Sequence, residues 1–315
     1  MSPYYIGTVL NNALLLIISS SAASLVLSVG EFNLGGEGQI YAGGFAGAIA
    51  LHTTRNLASP LSFIISLIVA MLVPCAMTAL SSILKRFKNA SILLTSFLIS
   101  AASIPFIDSC IAGPFRGSAN NLLATHFVKE SLRSPKILSP SPLSAVELIS
   151  PLFCILLWFV LNKTSLGKKL QITGISNEFA EYCGYNISSI ISGSLCVSGA
   201  LYGLTGFTAV IGTYYTCHSG FYVGMGWNSL SCALIARSHP LLLMPTSLLL
   251  SWIFTSADRI ALFNNFGFDI SSLIQGVVLI LVSISYAKKT KVPKIITKIF
   301  EKTFKKLYIN RGTHE

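Results

Sequence analysis

Seven stretches of this 315-residue chain run close to twenty residues with almost no charge: roughly 8–29, 60–84, 90–108, 143–161, 190–212, 240–257 and 270–287. A helix that crosses the ~30 Å hydrocarbon core of a bilayer needs about 20 apolar residues. Lipid offers no partner to backbone N–H and C=O groups, so such runs are restricted to helices. Only 10% of the residues are charged, against the roughly 25% of soluble domains. The pattern predicts an all-α fold, a polytopic membrane helix bundle.

The net charge of +11 does not point to nucleic acid, because it is concentrated at one end. Nine Lys/Arg and one Glu fall between Lys288 and Arg311, a net of +8 that leaves +3 for everything else. A basic segment after an apolar span reads as a cytoplasmic tail that touches anionic lipid. Ile296, Phe300, Phe304 and Leu307 recur at helical spacing among lysines, the pattern of an amphipathic helix on the inner leaflet. Seven scattered cysteines form no CxxC, and five histidines offer no metal spacing.

Two further apolar runs are too short to cross unaided. Residues 40–51 would span about 18 Å and residues 223–236 about 21 Å as helix. Lys85, Arg86 and Lys88, then Lys163, Lys168 and Lys169, then the tail mark three basic segments. Positive charge collects on the cytoplasmic side; the tail shares a side with the other two only if 223–236 counts as a crossing, and 40–51 is counted alongside it. The topology predicted is about nine crossings, with the N-terminus outside and the C-terminus inside. Sixteen Lys/Arg then lie inside and six outside. Residues 1–287 form the transmembrane domain and 288–315 the tail; 109–142, rich in Pro and Ser, is an irregular external connection.

Both short runs follow glycine-broken polar sequence, "EFNLGGEGQ" and "GFYVGMGWNS". Gly-interrupted short spans in corresponding positions of two halves point to a transporter's central site. If 40–51 is to cross, its helix must start earlier, which draws Glu37 and Gln39 to membrane depth. Two roles are open for them: capping a helix N-terminus, or touching what passes. Gly43/Gly47, Gly199/Gly203 and Gly220/Gly224 have the GxxxG spacing of close helix packing.

The segment 162–189 is more than a turn. A short helix is predicted near 176–183, with Ser176 or Asn177 as N-cap, Glu178 in its first turn and Gly184 after its end. A helix lying across a cytoplasmic loop offers a grip to a soluble motor domain.

Three stretches together resemble permease subunits of ABC importers of the nucleoside/simple-sugar class, a family that includes ribose and branched-chain amino-acid members. In "GEFNLGGEGQ", Gly30, Phe32, Asn33, Gly35, Glu37, Gly38 and Gln39 match the family motif, while Glu31 replaces an apolar residue. In the 162–189 loop, Thr164, Gly167, Leu170, Gly174, Ala180, Tyr182, Gly184 and Asn186 match; Gln171, Ser176–Asn177 and Phe179 depart. In "GMGWNSLSCALIARSHP", Gly224, Gly226, Ala233, Leu234, Arg237 and Pro240 match, with Trp227 and Asn228 in place of Phe and a frequent Asp. Family members commonly carry one more N-terminal span, and a chain that starts after it has the outside N-terminus that the charges demand.

The resemblance implies a translocation subunit that does no bond chemistry and holds no cofactor. ATP and Mg²⁺ would sit on a separate cytoplasmic ATPase, in keeping with the absence of a GxxxxGK[ST] loop from this sequence. It also implies a second, homologous permease chain, an extracytoplasmic binding lipoprotein and residence in a prokaryotic cytoplasmic membrane. The solute class it implies is a nucleoside, with riboflavin and simple sugars in relatives. Phe32, Asn33, Glu37, Gln39, Trp227 and Asn228 are the substrate-path candidates, offering faces to stack on and amides to pair with. Thr164, Gly167, Gly174, Glu178, Ala180, Tyr182 and Gly184 are the candidates for coupling to the ATPase. The alternative is a self-contained transporter or channel, which would have no use for a structured cytoplasmic loop.

Overall fold

A computed structural model describes residues 2–117, 122–222, 224–264 and 270–289, with side chains to residue 284. Every regular element among them is helical: α1 (Pro3–Leu27), α2 (Gly36–Thr53), α3 (Ser59–Lys88), α4 (Ile92–Ala112), α5 (Ser150–Lys163), α6 (Ser165–Ile175), α7 (Asn177–Tyr182), α8 (Ile187–Thr208), α9 (Met225–Ile235), α10 (Leu243–Phe263) and α11 (Ile270–Lys289). A 3₁₀ turn, Ala145–Ile149, leads into α5, and α8 runs on as a π-helix, Ala209–Tyr214.

α1 carries no charged residue and little amphipathic bias, and a helix of that kind belongs inside the bundle. Of its most apolar stretch 83% is buried, against 22% for α3 and α4, which form the outer wall. The wall helices reverse the soluble pattern. α3 turns Ser62, Ser66, Ala70, Pro74 and Thr78 inward at spacing four and leaves Leu61, Ile64, Ile68 and Leu72 outside. Lipid is as apolar as leucine, so burying leucine gains little there; close contact between small faces does the work.

That contact centres on Gly203. A Cβ there would lie 2.2 Å from the Ala70 carbonyl oxygen, and one on Gly43 would lie 2.3 Å from the Gly203 Cα. Gly199 meets the Pro74 carbonyl at 2.5 Å on the same basis, and Gly47 the Phe207 ring at 2.5 Å. α2, α3 and α8 therefore touch backbone to backbone, and the first two GxxxG pairs lie at this junction. The third does not. Gly220 (φ 81°) and Gly224 (φ 80°) are in the left-handed region, so their glycines serve turns rather than helix packing.

Each of the nine predicted segments carries a helix. Among the described residues, six are long and apolar enough to cross a membrane. α2 starts at Gly36, four residues before the apolar run, as the length deficit required. α9 has 11 residues and reaches about 17 Å, so it crosses only part of the hydrocarbon and residues 215–222 approach it as non-helical chain. The segment 109–142 is largely irregular among its described residues, with one 3₁₀ turn, Glu130–Leu132. The basic tail from residue 290 lies outside the described residues.

Connections gather at two ends. Glu31 forms a salt bridge with Lys85, and a Cβ on Gly174 of α6 would lie 2.3 Å from the Ser28 carbonyl oxygen. Residues 28–35, the end of α3 and the α6–α7 segment thus share one end. At the other, His52 stacks on His126 with ring centroids 4.2 Å apart, and Tyr5 bonds Ser256. Glu31, the charge that the motif does not expect, has its partner in the first basic cluster.

Gly203→Ala must push three backbones apart, and overpacking of this kind costs about 1–3 kcal/mol. Gly193, also on α8, has nothing within 4 Å of its Cβ position. Thermal unfolding in detergent should show a lowered midpoint for Gly203→Ala and an unchanged or raised one for Gly193→Ala.

Candidate functional site

Two helices begin inside the bundle instead of at its surface. α2 is reached through the non-helical residues 31–35 and α9 through 215–222 and 224, and their N-termini meet. A Cβ on Gly226 would lie 2.4 Å from the Glu37 amide nitrogen and 2.8 Å from the Gly36 carbonyl carbon. Only glycine allows that approach. Each helix start carries unpaired N–H groups and the positive end of a helix dipole, so bringing two together demands acceptors.

The sequence supplies them from several helices. Glu37, in the first turn of α2, accepts the Gly226 amide of α9 at 3.2 Å, with the Trp227 and Gly224 amides also facing its carboxyl. The amides of the α2 entry are taken by α4: Leu34 donates to Ser96 Oγ (3.1 Å) and Gly38 to Ser100 Oγ (2.7 Å). Asn33 is the hub. Its Oδ1 accepts from the Gly35 amide (3.0 Å) and Gln39 Nε2 (3.0 Å), and its Nδ2 donates to Gln39 Oε1 (2.9 Å) and Ser198 Oγ of α8 (3.2 Å). On the α9 side, the Tyr202 and Ser229 hydroxyls bond at 3.1 Å.

Beyond α9 lies a polar cavity of about 300 Å³ between α1, α9, α10 and α11. Asn12, Asn228, Asp258 and Gln275 line it together with the Tyr214 and Phe221 rings. Asn228 Oδ1 is buried without a hydrogen-bond partner among the described residues.

At the Lys85 end, α6 and α7 meet at Ser176. Thr164 caps α6 by accepting the Gly167 amide (3.2 Å), and Ser176 caps α7 by accepting that of Phe179 (3.2 Å). α7 closes with the Schellman pair Tyr185 N–H to Ala180 O and Gly184 N–H to Glu181 O, at 3.0 and 2.8 Å. Gly184 is left-handed with φ 75°. Ala180 is buried, while Ile175 (86%), Phe179 (59%) and Tyr182 (94%) project into the open.

Residues 5–283 match the family described as the branched-chain amino acid transport system permease component. The chain belongs to this permease family. The permease is 32% identical over 283 residues to a probable riboflavin import permease protein of Treponema pallidum, covering 90% of this chain and 75% of that protein. A guanosine ABC transporter permease protein of Bacillus subtilis is 24% identical over 289 residues, with coverage of 90% and 82%. A nucleoside ABC transporter permease protein of Lactococcus lactis is 22% identical over 306 residues, with coverage of 92% and 82%. Members of the family are translocation subunits of the cytoplasmic membrane that work with an ATPase and a substrate-binding partner.

The substrate-path candidates of the permease divide into two groups. Asn33, Glu37 and Gln39 meet at the helix junction, with Asn33 and Gln39 buried. Trp227 leans on Phe97 of α4 with ring centroids 6.3 Å apart, and Phe32 is half-buried. Asn228 points the other way, into the cavity. The coupling candidates all lie on the α6–α7 segment, with Thr164 and Gly184 as end signals and Gly174 packed on residues 28–30.

Sequence reading missed α6, because Gly167 and Gly174 read as loop. Gly167 is there for contact instead: its Cβ would lie 2.1 Å from the Val160 carbonyl oxygen. It also missed Glu147, fully buried at the start of the fifth apolar run. Glu147 accepts from Thr213 of the π-helix (2.8 Å), and an Asn11 amide turned toward it reaches 2.6 Å. The signal was present, since an acid beside an apolar span is a functional hypothesis by default.

Glu37→Leu should leave the α9 amides without an acceptor, at about 1–3 kcal/mol for such unmade bonds. Glu37→Gln keeps one acceptor oxygen and should lose less. Thermal unfolding of both variants in one detergent checks the order.

Proposed function

We propose that the permease imports a heteroaromatic solute bearing hydroxyls, a nucleoside or riboflavin, as the translocation subunit of an ATP-driven complex. α7 is the observation that carries this reading. It is a helix of six residues fixed at both ends, presenting Phe179 and Tyr182, with Ile175 at the end of α6 beside them, with no cover from the rest of the described chain. Such a knob suits a socket on a separate ATPase, which would hold the ATP and Mg²⁺.

A mechanical route leads inward from it. α7 follows directly on α6, whose Gly174 rests on Ser28 and Gly30, and from there residues 31–35 run to the junction of α2 and α9. A displacement of α7 driven by nucleotide binding would travel along this route as backbone contact. ATP and solute must favour different states of the bundle for the coupling to drive transport. Asn33 and Gln39 act in this scheme by holding the broken helix. Asn228 is the member of the set that meets the solute, its free acceptor lying in a cavity that offers the Tyr214 and Phe221 rings for stacking.

In this reading the Lys85 end is cytoplasmic, because two basic clusters gather there. The 162–189 segment is then the coupling loop, 109–142 faces outward and the C-terminal tail is inside. The full assembly adds a second, homologous permease chain and a binding lipoprotein. The names of the relatives support the solute class.

Proteoliposomes holding the permease with its ATPase, partner permease and lipoprotein test the coupling role. Phe179→Ala with Tyr182→Ala should cut ATP-driven uptake about tenfold or more at unchanged thermal stability, the scale set by losing a hot-spot contact. Uptake at the wild-type rate would overturn the coupling role. Uptake of riboflavin and of guanosine is compared in the same vesicles, and transport of neither would overturn the solute class. Asn228→Ala should raise KM for the transported solute about tenfold, as loss of one hydrogen bond predicts.

A further inference from the structure

α5, α6 and α8 enclose a second cavity of a different character. It measures about 620 Å³, and its walls are almost wholly apolar. Phe153, Leu156 and Val160 of α5 face Ile190 and Val197 of α8 across it, and Leu166 of α6 closes one end. Leu156 (57%), Leu166 (64%) and Val197 (51%) are exposed along its rim, so the groove opens sideways from the bundle. Both walls belong to helices long and apolar enough to cross a membrane. An opening on that flank faces hydrocarbon rather than water.

The groove is long and charged at one end only. Along α8 its lining runs from Asn186 to Leu201, about 22 Å at the helical rise, somewhat more than the ~15 Å of one leaflet. Gly193 lines the floor with open space at its Cβ position, and Ser189 and Ser194 keep the floor flat. Lys169 lines the end next to α6, its Nζ 5.5 Å from the Tyr185 ring centroid. Lys168 is its neighbour in sequence, and Lys163, over the Trp158 ring at 5.9 Å, ends α5; neither lines the groove. No lining residue is acidic.

We propose that this groove binds one anionic phospholipid of the inner leaflet, with an acyl chain along α8 and the phosphate at Lys169. Length, apolar walls and a lysine at the interfacial end are the three features that such a lipid needs, and basic pockets between spans on the cytoplasmic side are where anionic head groups collect. Long lysine stems reach from an apolar wall to the head-group layer. The site ends at Gly184, Tyr185 and Asn186, directly after α7. A lipid seated there would brace the coupling segment against α5 and α8. The assignment of the leaflet rests on the sidedness proposed above; the groove and its lysine do not.

The full chain, purified in mild detergent, is titrated with phosphatidylglycerol and with phosphatidylcholine and read by native mass spectrometry. Phosphatidylglycerol should bind and survive activation, and phosphatidylcholine should not. Lys169→Gln should weaken phosphatidylglycerol binding by about fivefold. Gly193→Leu, placed where the Cβ position is open, should fill the floor and remove bound lipid with thermal unfolding unchanged. Equal retention of the two lipids would overturn the head-group assignment, and unchanged retention in Gly193→Leu would overturn the groove. A shift in oligomeric state with lipid content unchanged would also overturn the proposal and give the groove to a second permease chain. None of these readouts uses the ATPase or the solute, so a failure here is distinct from a failure of the transport reading.

Discussion

Backbone amides that begin a helix inside a membrane have no water to turn to, and this permease has two such sets pressed against each other. The junction of α2 and α9 exists because Glu37 reaches across from one helix to accept the amides of the other. Around it, Asn33, Ser96 and Ser100 take the amides that the non-helical entry exposes. Gly36 and Gly226 leave room for the contact. A polar motif flanked by hydrocarbon-like sequence is therefore a closed hydrogen-bond account. The polar residues are present because the chain stops being helical at depth.

The rest of the bundle is arranged to hold that junction. α2 is anchored along its length by α8 and α3 through Gly43, Gly203 and Ala70, where backbones touch. In lipid such contact replaces the burial of large side chains that would hold a soluble core. α1 fills the centre and meets α5, α8, α9 and α10, so the second broken helix is packed against the same axis as the first. The bundle is thus tied at three levels: dispersion between small faces, hydrogen bonds at the junction, and the salt bridge Glu31–Lys85 at the surface of the entry.

The contact of Gly174 with Ser28 and Gly30 connects the exposed α7 to this frame. Two turns from distant parts of the chain meet there with no side chain between them. Rigid backbone contact transmits displacement better than flexible side chains do, because packed elements have little slack. The capped ends of α7 serve the same purpose, since a helix of six residues does not hold its shape in isolation.

Much of this was legible in the residues. Apolar run lengths gave the helices, the deficit of residues 40–51 gave the early start of α2, and Ser176 with Gly184 gave both ends of α7. These features are local: run length, capping chemistry and glycine freedom act within a turn or two of the residue that encodes them. Their reading failed where glycine had two uses. Gly167 and Gly174 looked like loop and are helix-packing positions, while Gly220 and Gly224 looked like packing and are turns. A glycine reports that a Cβ is not tolerated; only the neighbour in space says why. What the sequence determined was the set of helices and the interruption of two of them. What the tertiary structure decided was that the interruptions face each other, that Glu37 caps α9 and not its own helix, and that Glu31 belongs to Lys85. Those pairings join residues 54 and 189 positions apart, and no local propensity reaches so far.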